Sequence, residues 1–131
     1  MVVRPISPMR FGSVVKGRIL MVENHAVFGE TLIGEFLSDY SVDRLPTVVE
    51  AVLRFGRHEY SVLLVDYDLD DGKGMDVLRS MRALGATTPV IAISARVEGN
   101  EALVAAGARG VCHKMDFARI DSVIAQVARD T

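Results

Sequence analysis

Five times from Arg18 onward, a short apolar or β-branched run gives way to a longer segment of helical period. No other feature constrains the chain as much, because this alternation reads as βαβ units around a parallel sheet. Ile19-Leu20-Met21-Val22 is apolar throughout, as a strand buried on both faces requires, and it stops at Glu23-Asn24. The helix after it repeats Phe28, Leu32 and Phe36 at i, i+4 and i+8, flanked by Ile33 and Leu37. Ser41 to Leu45 contains Asp43 and Arg44 and suits an edge strand. Thr47-Val48-Val49-Glu50 is a capping box that opens a second helix, closed at Gly56. Val62-Leu63-Leu64-Val65 runs directly into Asp66. An Asp- and Gly-rich loop follows, then a third helix on Val77, Leu78, Met81 and Leu84 that ends near Gly85. Val90-Ile91-Ala92-Ile93 ends at Ser94, before an Ala-rich helix through Leu103, Val104 and Ala106 to Gly107. The last strand, Gly110 to His113, meets Lys114, and Asp116 is placed to cap a helix carrying Phe117, Ile120, Ile124 and Val127.

At 131 residues, with 50% hydrophobic and 24% charged content, the chain fits one compact domain and leaves no room for a second of usual size. Fifteen Lys+Arg against 17 Asp+Glu give a net charge of −2, which argues against direct nucleic-acid or membrane partners. The single cysteine, Cys112, excludes an internal disulfide and fits a reducing cytosol, and no apolar run is long enough to span a bilayer. Met1 to Gly17 carries Arg4, Arg10 and Lys16 without an acid, and Pro5 and Pro8 interrupt it. It reads as a leader to a domain over residues 18–131, not as a signal peptide.

An open parallel sheet binds ligands outside the carboxyl ends of its strands, and there the polar residues gather: Glu23-Asn24, Asp66, Ser94 and Lys114 each follow a strand. The oxygen donors among them suit Mg²⁺ better than Zn²⁺, and carboxylates so close require a cation or Lys114 to offset their repulsion. A carboxylate beside Mg²⁺ can attack phosphorus to give an acyl phosphate, with Ser94 and Lys114 on the phosphoryl oxygens. Other motifs carry less. Asp66-x-Asp68-x-Asp70 is no EF-hand, since Asp71 and Val77 stand where Gly and Glu are needed. His25 reads as a loop residue at a helix start, His58 and His113 lack metal-ligand spacing, and Cys112 reads as a small core residue. Ser94 lacks a nucleophile elbow, and Gly72-x-Gly74 is too short to cradle a nucleotide phosphate.

Glu23-Asn24 after its strand, Val65-Asp66-Tyr67-Asp68 through Val77-Leu78, Pro89 through Ser94-Ala95, and Gly107-Ala108-Arg109-Gly110-Val111-Cys112-His113-Lys114 together resemble the receiver domain of two-component response regulators, over Arg18 to about Ala128. The resemblance implies a flavodoxin-like α/β three-layer sandwich, with a five-stranded parallel sheet of order 2-1-3-4-5 and five helices. It implies Mg²⁺-dependent phosphoryl transfer from a histidine kinase or phosphotransfer protein. Asp66 is then the phosphoacceptor. Glu23, Asn24, Asp66 and the backbone carbonyl of Asp68 are the metal ligands, and Ser94 and Lys114 sense the phosphate. The signalling surface is the face formed by helix 4, strand 5 and helix 5.

Three positions depart from the family pattern. Asn24 keeps an oxygen where a carboxylate is usual, so weaker Mg²⁺ binding is expected. Val111 stands at the switch position, where an aromatic ring usually reports phosphorylation. Asp70 replaces a common proline. Asp68 and Arg96, each two residues beyond a site residue, are placed to pair across the pocket as modulators that shield the acyl phosphate from water. Two alternatives stay open: a phosphorylation-independent interaction domain of the same shape, and a metal-dependent hydrolase using Asp68 as general acid. Because the receiver-like region ends close to Thr131, the expected partner is a downstream protein target or an output domain missing from this chain. A homodimer is also left open.

Overall fold

The computed structural model describes residues 15–130. Five strands form one parallel sheet: β1 Arg18–Val22, β2 Ser41–Leu45, β3 Val62–Val65, β4 Val90–Ala92 and β5 Gly110–Val111. Their spatial order is β2-β1-β3-β4-β5, the expected 2-1-3-4-5. Five α-helices connect and flank them: α1 Ala26–Phe36, α2 Val48–Phe55, α3 Gly74–Ala83, α4 Val97–Ala105 and α5 Ile120–Arg129. A two-stranded hairpin, Asp68–Leu69 against Gly72–Lys73, stands apart from the sheet.

β1 after Arg18, β3 and β4 are apolar at every position because both faces are covered. Leu20, Val22, Leu63, Val65, Val90 and Ala92 pack with Ala51, Val77, Leu78, Met81 and Leu103 from α2, α3 and α4. Ile19, Met21, Val62, Leu64, Ile91 and Ile93 face the other way, against Leu32, Ile120, Val123 and Val127 from α1 and α5. Cys112 belongs to this second cluster and is fully buried, as expected of a core residue. Each large aliphatic side chain so buried contributes about 1.5–3 kcal/mol.

β2 is the edge strand, and its charges are paired. Asp43 accepts from Tyr60 Oη at 2.6 Å and lies within 3.5 Å of Arg18 and Arg54. Gly85 and Gly107 follow α3 and α4 with φ of +81° and +119°, a backbone conformation that suits glycine. Leu84, expected on the buried stripe of α3, is exposed instead, since the helix closes at Ala83. No helix among the described residues is long and apolar enough to cross a membrane.

Three local expectations need correction. The Thr47 hydroxyl does accept from the Glu50 amide at 3.0 Å, but the Glu50 carboxylate takes the Thr47 hydroxyl, so only half of the capping box forms. Asp71 completes the cap from the loop after β3, accepting from Val48 N at 2.6 Å and Val49 N at 3.1 Å. Asp116 does not cap α5. Lys114–Arg119 forms a 3₁₀ turn that buries Phe117 against Phe36, ring centroids 5.8 Å apart, and it is capped by His113 Nδ1. Asp116 lies inside that turn, paired with Arg119 at 3.1 Å. β5 is regular only at Gly110–Val111, although Cys112 N still donates to the Ala92 carbonyl. Of the leader, residues 1–14 lie outside the described residues. Lys16 N donates to the Asp39 carbonyl, and the Gly17 carbonyl accepts from Ser41 N.

Candidate functional site

The chain leaves β1 in one direction for β2 and returns on the other side for β3, so the sheet reverses its order between β1 and β3. That reversal opens a crevice beyond their carboxyl ends. Glu23 follows β1 and Asp66 follows β3, both buried. Lys114 enters from the end of the β5 segment, with Nζ at 2.6 Å from Glu23 Oε1 and 2.9 Å from Asp66 Oδ2. Burial alone would pull the lysine pKa down. The ion pairs with Glu23 and Asp66 outweigh it, and Lys114 titrates above an ordinary lysine. Its ammonium also lies over the Phe28 ring at 5.3 Å.

The remaining valences are distributed unevenly. Asp66 Oδ1 accepts from the Tyr67 amide at 2.8 Å, and Glu23 Oε2 accepts from the His25 amide at 3.0 Å. Glu23 Oε1 is buried without a directed hydrogen bond, so its contact with Lys114 is an ion pair by distance and not by alignment. The Glu23 carbonyl accepts from Arg44 Nη1 at 2.6 Å, and Gly29 leaves the space through which the Arg44 side chain passes. A Cβ at Gly74 would collide with the Asp66 carbonyl oxygen, so only glycine lets α3 start this close beneath the site.

The outer rim is more exposed. Asp68 and Arg96 do pair, at 3.0 Å, and Lys73 joins them at 2.5 Å from Asp68. The hydrogen bond from Lys73 holds the Asp68 carboxyl below the usual range, with Arg96 adding to the effect. Both cations flank the Tyr67 ring, at 5.0 Å and 5.6 Å. Asn24 is exposed, and its Nδ2 donates to Asp70 Oδ1 at 3.2 Å, so two of the three unusual positions meet each other. Ser94 is buried, and its Oγ accepts from the Arg96 amide at 3.0 Å. Val111 lies on the surface beside a groove of about 360 Å³, lined with Val97, Val104 and His113. His25 caps α1 through Nδ1, accepting from the Phe28 amide at 3.2 Å. Among the described residues, no three His, Cys, Asp or Glu side chains converge as a metal cluster.

The structure therefore brings Glu23, Asp66 and Lys114 into contact and sets Asn24, Asp68, Arg96 and Ser94 around them. Four other participants were not singled out from the sequence: Arg44, Asp71, Lys73 and Asn100, whose side chain hydrogen-bonds the Ser94 backbone. Asn100 alone carried a usable signal, a polar residue three positions before Leu103 on the buried side of α4.

The family model described as the response regulator receiver domain matches residues 19–125. The chain belongs to that family. A curated relative, the two-component response regulator PhoP of Pseudomonas aeruginosa, is 28% identical over 82 residues, which cover 60% of this chain and 36% of the relative. This receiver domain thus spans about a third of the length of the curated relative it matches. Among solved structures, the receiver domain of Francisella response regulator 1452 superposes with a TM-score of 0.77 at 16% identity, covering 88% of this chain and 98% of that one. The receiver domain of a Pseudomonas aeruginosa sensor histidine kinase, which has a magnesium ion coordinated in its active-site cleft, gives 0.75 at 24% identity and covers 86% and 98%. At these identities the two structures share the fold with this chain.

Proposed function

We propose that this receiver domain accepts a phosphoryl group on Asp66 from a histidine kinase or phosphotransfer protein. The observation that carries the reading is the arrangement of Asp66 itself. Its carboxylate sits at the sheet's reversal point, one oxygen fixed by the Tyr67 amide and the other facing Lys114. In the transfer a carboxylate oxygen forms a bond to phosphorus while the donor's P–N bond breaks, and the donor imidazole keeps the electron pair. In the resting site Lys114 is a cation, its pKa raised by the contacts with Glu23 and Asp66. It can exchange its ion pair with Asp66 for one with a phosphoryl oxygen, and the Ser94 hydroxyl supplies a second donor.

The donor set fits Mg²⁺: Glu23, Asp66, the Asn24 amide oxygen and the Asp68 carbonyl are all hard oxygens, and Glu23 Oε1 is a buried carboxylate oxygen with no directed hydrogen bond. Mg²⁺, when bound, supplies positive charge for the incoming phosphoryl oxygens. With Asn24 in place of a carboxylate the site is weaker than the family's usual one.

The hydrolase alternative loses support at Asp68. A general acid needs a carboxyl held protonated near neutral pH, whereas Lys73 and Arg96 keep this one ionised. The phosphorylation-independent alternative draws on two observations: Lys114 already closes the site over both carboxylates, and Val111 has no ring to swing. Signalling would leave through α4, β5 and α5, where Val97, Val104 and Val111, with Met115 on the turn between β5 and α5, are exposed to a protein partner.

Incubating the chain with a small phosphodonor and Mg²⁺, followed by intact mass measurement, tests the reading. One added phosphate in the wild type and none in Asp66→Ala is the expected result. An unmodified wild type supports the phosphorylation-independent domain, and an adduct that persists in Asp66→Ala rejects Asp66 as acceptor.

A further inference from the structure

Ser94 is joined to α4 more closely than a neighbour in sequence needs to be. Both of its backbone polar groups end on one side chain: Asn100 Oδ1 accepts from the Ser94 amide at 2.8 Å, and Asn100 Nδ2 donates to the Ser94 carbonyl at 3.0 Å. Asn100 is itself 5% exposed and lies at the start of α4. One planar amide thus satisfies a donor and an acceptor of the same residue, as a peptide partner in a sheet would, and it can follow Ser94 only as a unit. The surrounding packing is equally close. A Cβ on Gly99 would stand 2.8 Å from Ser94 Oγ and 2.9 Å from Tyr67 Cβ, and the Arg96 amide donates to the Ser94 hydroxyl. Asn100 also lines the groove beside Val111 together with Val97, Glu101 and Val104.

We propose that Asn100 is a positioning residue that carries the displacement of Ser94 into α4, in place of the ring that Val111 lacks. The inference rests on the phosphoacceptor reading above. When the Ser94 hydroxyl turns to a phosphoryl oxygen on Asp66, the Arg96 amide loses its acceptor and residue 94 shifts toward Asp66. Its amide and carbonyl are buried, so parting from Asn100 would leave two unpaired polar groups in a site of low dielectric. α4 therefore moves with Ser94, and the groove between α4 and β5 changes shape. Val111 has no side chain long enough to report the same movement.

The test measures backbone amide hydrogen exchange over residues 97–105 in the full chain, with and without a small phosphodonor and Mg²⁺. Intact mass on the same samples gives the fraction phosphorylated, and the exchange response is expressed per phosphorylated molecule. A purely structural role would alter α4 exchange in both states, so the readout is the difference between them. In the wild type that difference is expected to reach at least about fivefold at α4, the lower end of ordinary coupling between sites. It should vanish in Asn100→Ala. Asn100→Asp keeps the acceptor for the Ser94 amide but turns a carboxylate toward the Ser94 carbonyl, so its response should be reduced, and it carries the test if the alanine variant fails to melt cooperatively. A wild-type-sized response in the variants overturns the relay, as does a phosphorylated wild type whose α4 exchange is unchanged. A wild type that takes no phosphate overturns the phosphoacceptor reading and the relay with it.

Discussion

The inner and outer halves of the site are built on opposite principles. Inside, Glu23, Asp66 and Lys114 are almost wholly removed from water: Glu23 is 0% and Asp66 7% exposed, with two short ion pairs between the acids and the lysine. At the rim, Asp68, Lys73 and Arg96 have side chains about half exposed, and Asn24 meets Asp70 in the open. In a low-dielectric interior each charge depends on its partner, so the inner half tolerates one arrangement. Water screens the rim, so its residues can be exchanged at small cost in stability.

The largest effect should come from breaking the inner half. Lys114→Met leaves two buried carboxylates without a cation and should cost about 3 kcal/mol in urea unfolding, part of it recovered on adding Mg²⁺. A loss no greater than that of a rim substitution would erase the distinction. Next comes Asn24, the rim residue proposed as a metal ligand. Asn24→Asp should tighten Mg²⁺ about tenfold, or ~1.4 kcal/mol, in calorimetric titration, since ligand charge governs affinity at such sites. Equal binding by the two proteins would mean that Asn24 is not a ligand. Smaller again, Asp68→Asn and Arg96→Ala should each change stability by less than about 1 kcal/mol. Both should nevertheless shorten the life of the phosphorylated form, followed by mass over time, and an unchanged decay in both removes the shielding role.

The two halves should also divide the pH profile. Lys114 has a raised folded pKa, so its contribution is complete below the unfolded value near 10.4 and is lost as the pH rises through the folded one. Asp68 is lowered, so its contribution is present above about pH 3.9 and is lost as the pH falls through its folded value. Urea midpoints across the pH range should therefore show Lys114→Met flattening the alkaline limb and Asp68→Asn the acid one. The acid change is the smaller, because water screens an exposed pair.

Much of this was legible in order along the chain. A parallel sheet buried on both faces forces continuous apolar runs, and those runs stop where the chain meets the crevice, so Glu23, Asp66 and Ser94 announce themselves as the first polar residues after three strands, and Lys114 follows the fifth just behind His113. The Asp68–Arg96 pair was also within reach, because each residue lies two beyond such an end. Arg44, Asp71 and Lys73 were not. Each looks like an ordinary charge on an edge strand or in a polar loop. Arg44 and Asp71 act on the Glu23 carbonyl and the start of α2, more than twenty residues away, and Lys73 reaches Asp68 only because the intervening loop closes as a hairpin. Asp116 misled for the related reason that a local capping signal yielded to Phe117 packing against Phe36.

The sequence by itself determined the architecture and which strand end carries which functional group, because burial on two faces leaves only one residue pattern for each strand. Tertiary structure alone decided who partners whom at those ends. It set Lys114 on both acids, turned Asn24 toward Asp70, and closed the Asn100 amide on the Ser94 backbone. Ion pairs and hydrogen bonds act over a few ångströms, and for Lys114 and Asn24 that proximity arises only when segments far apart in the chain fold back to the same edge of the sheet.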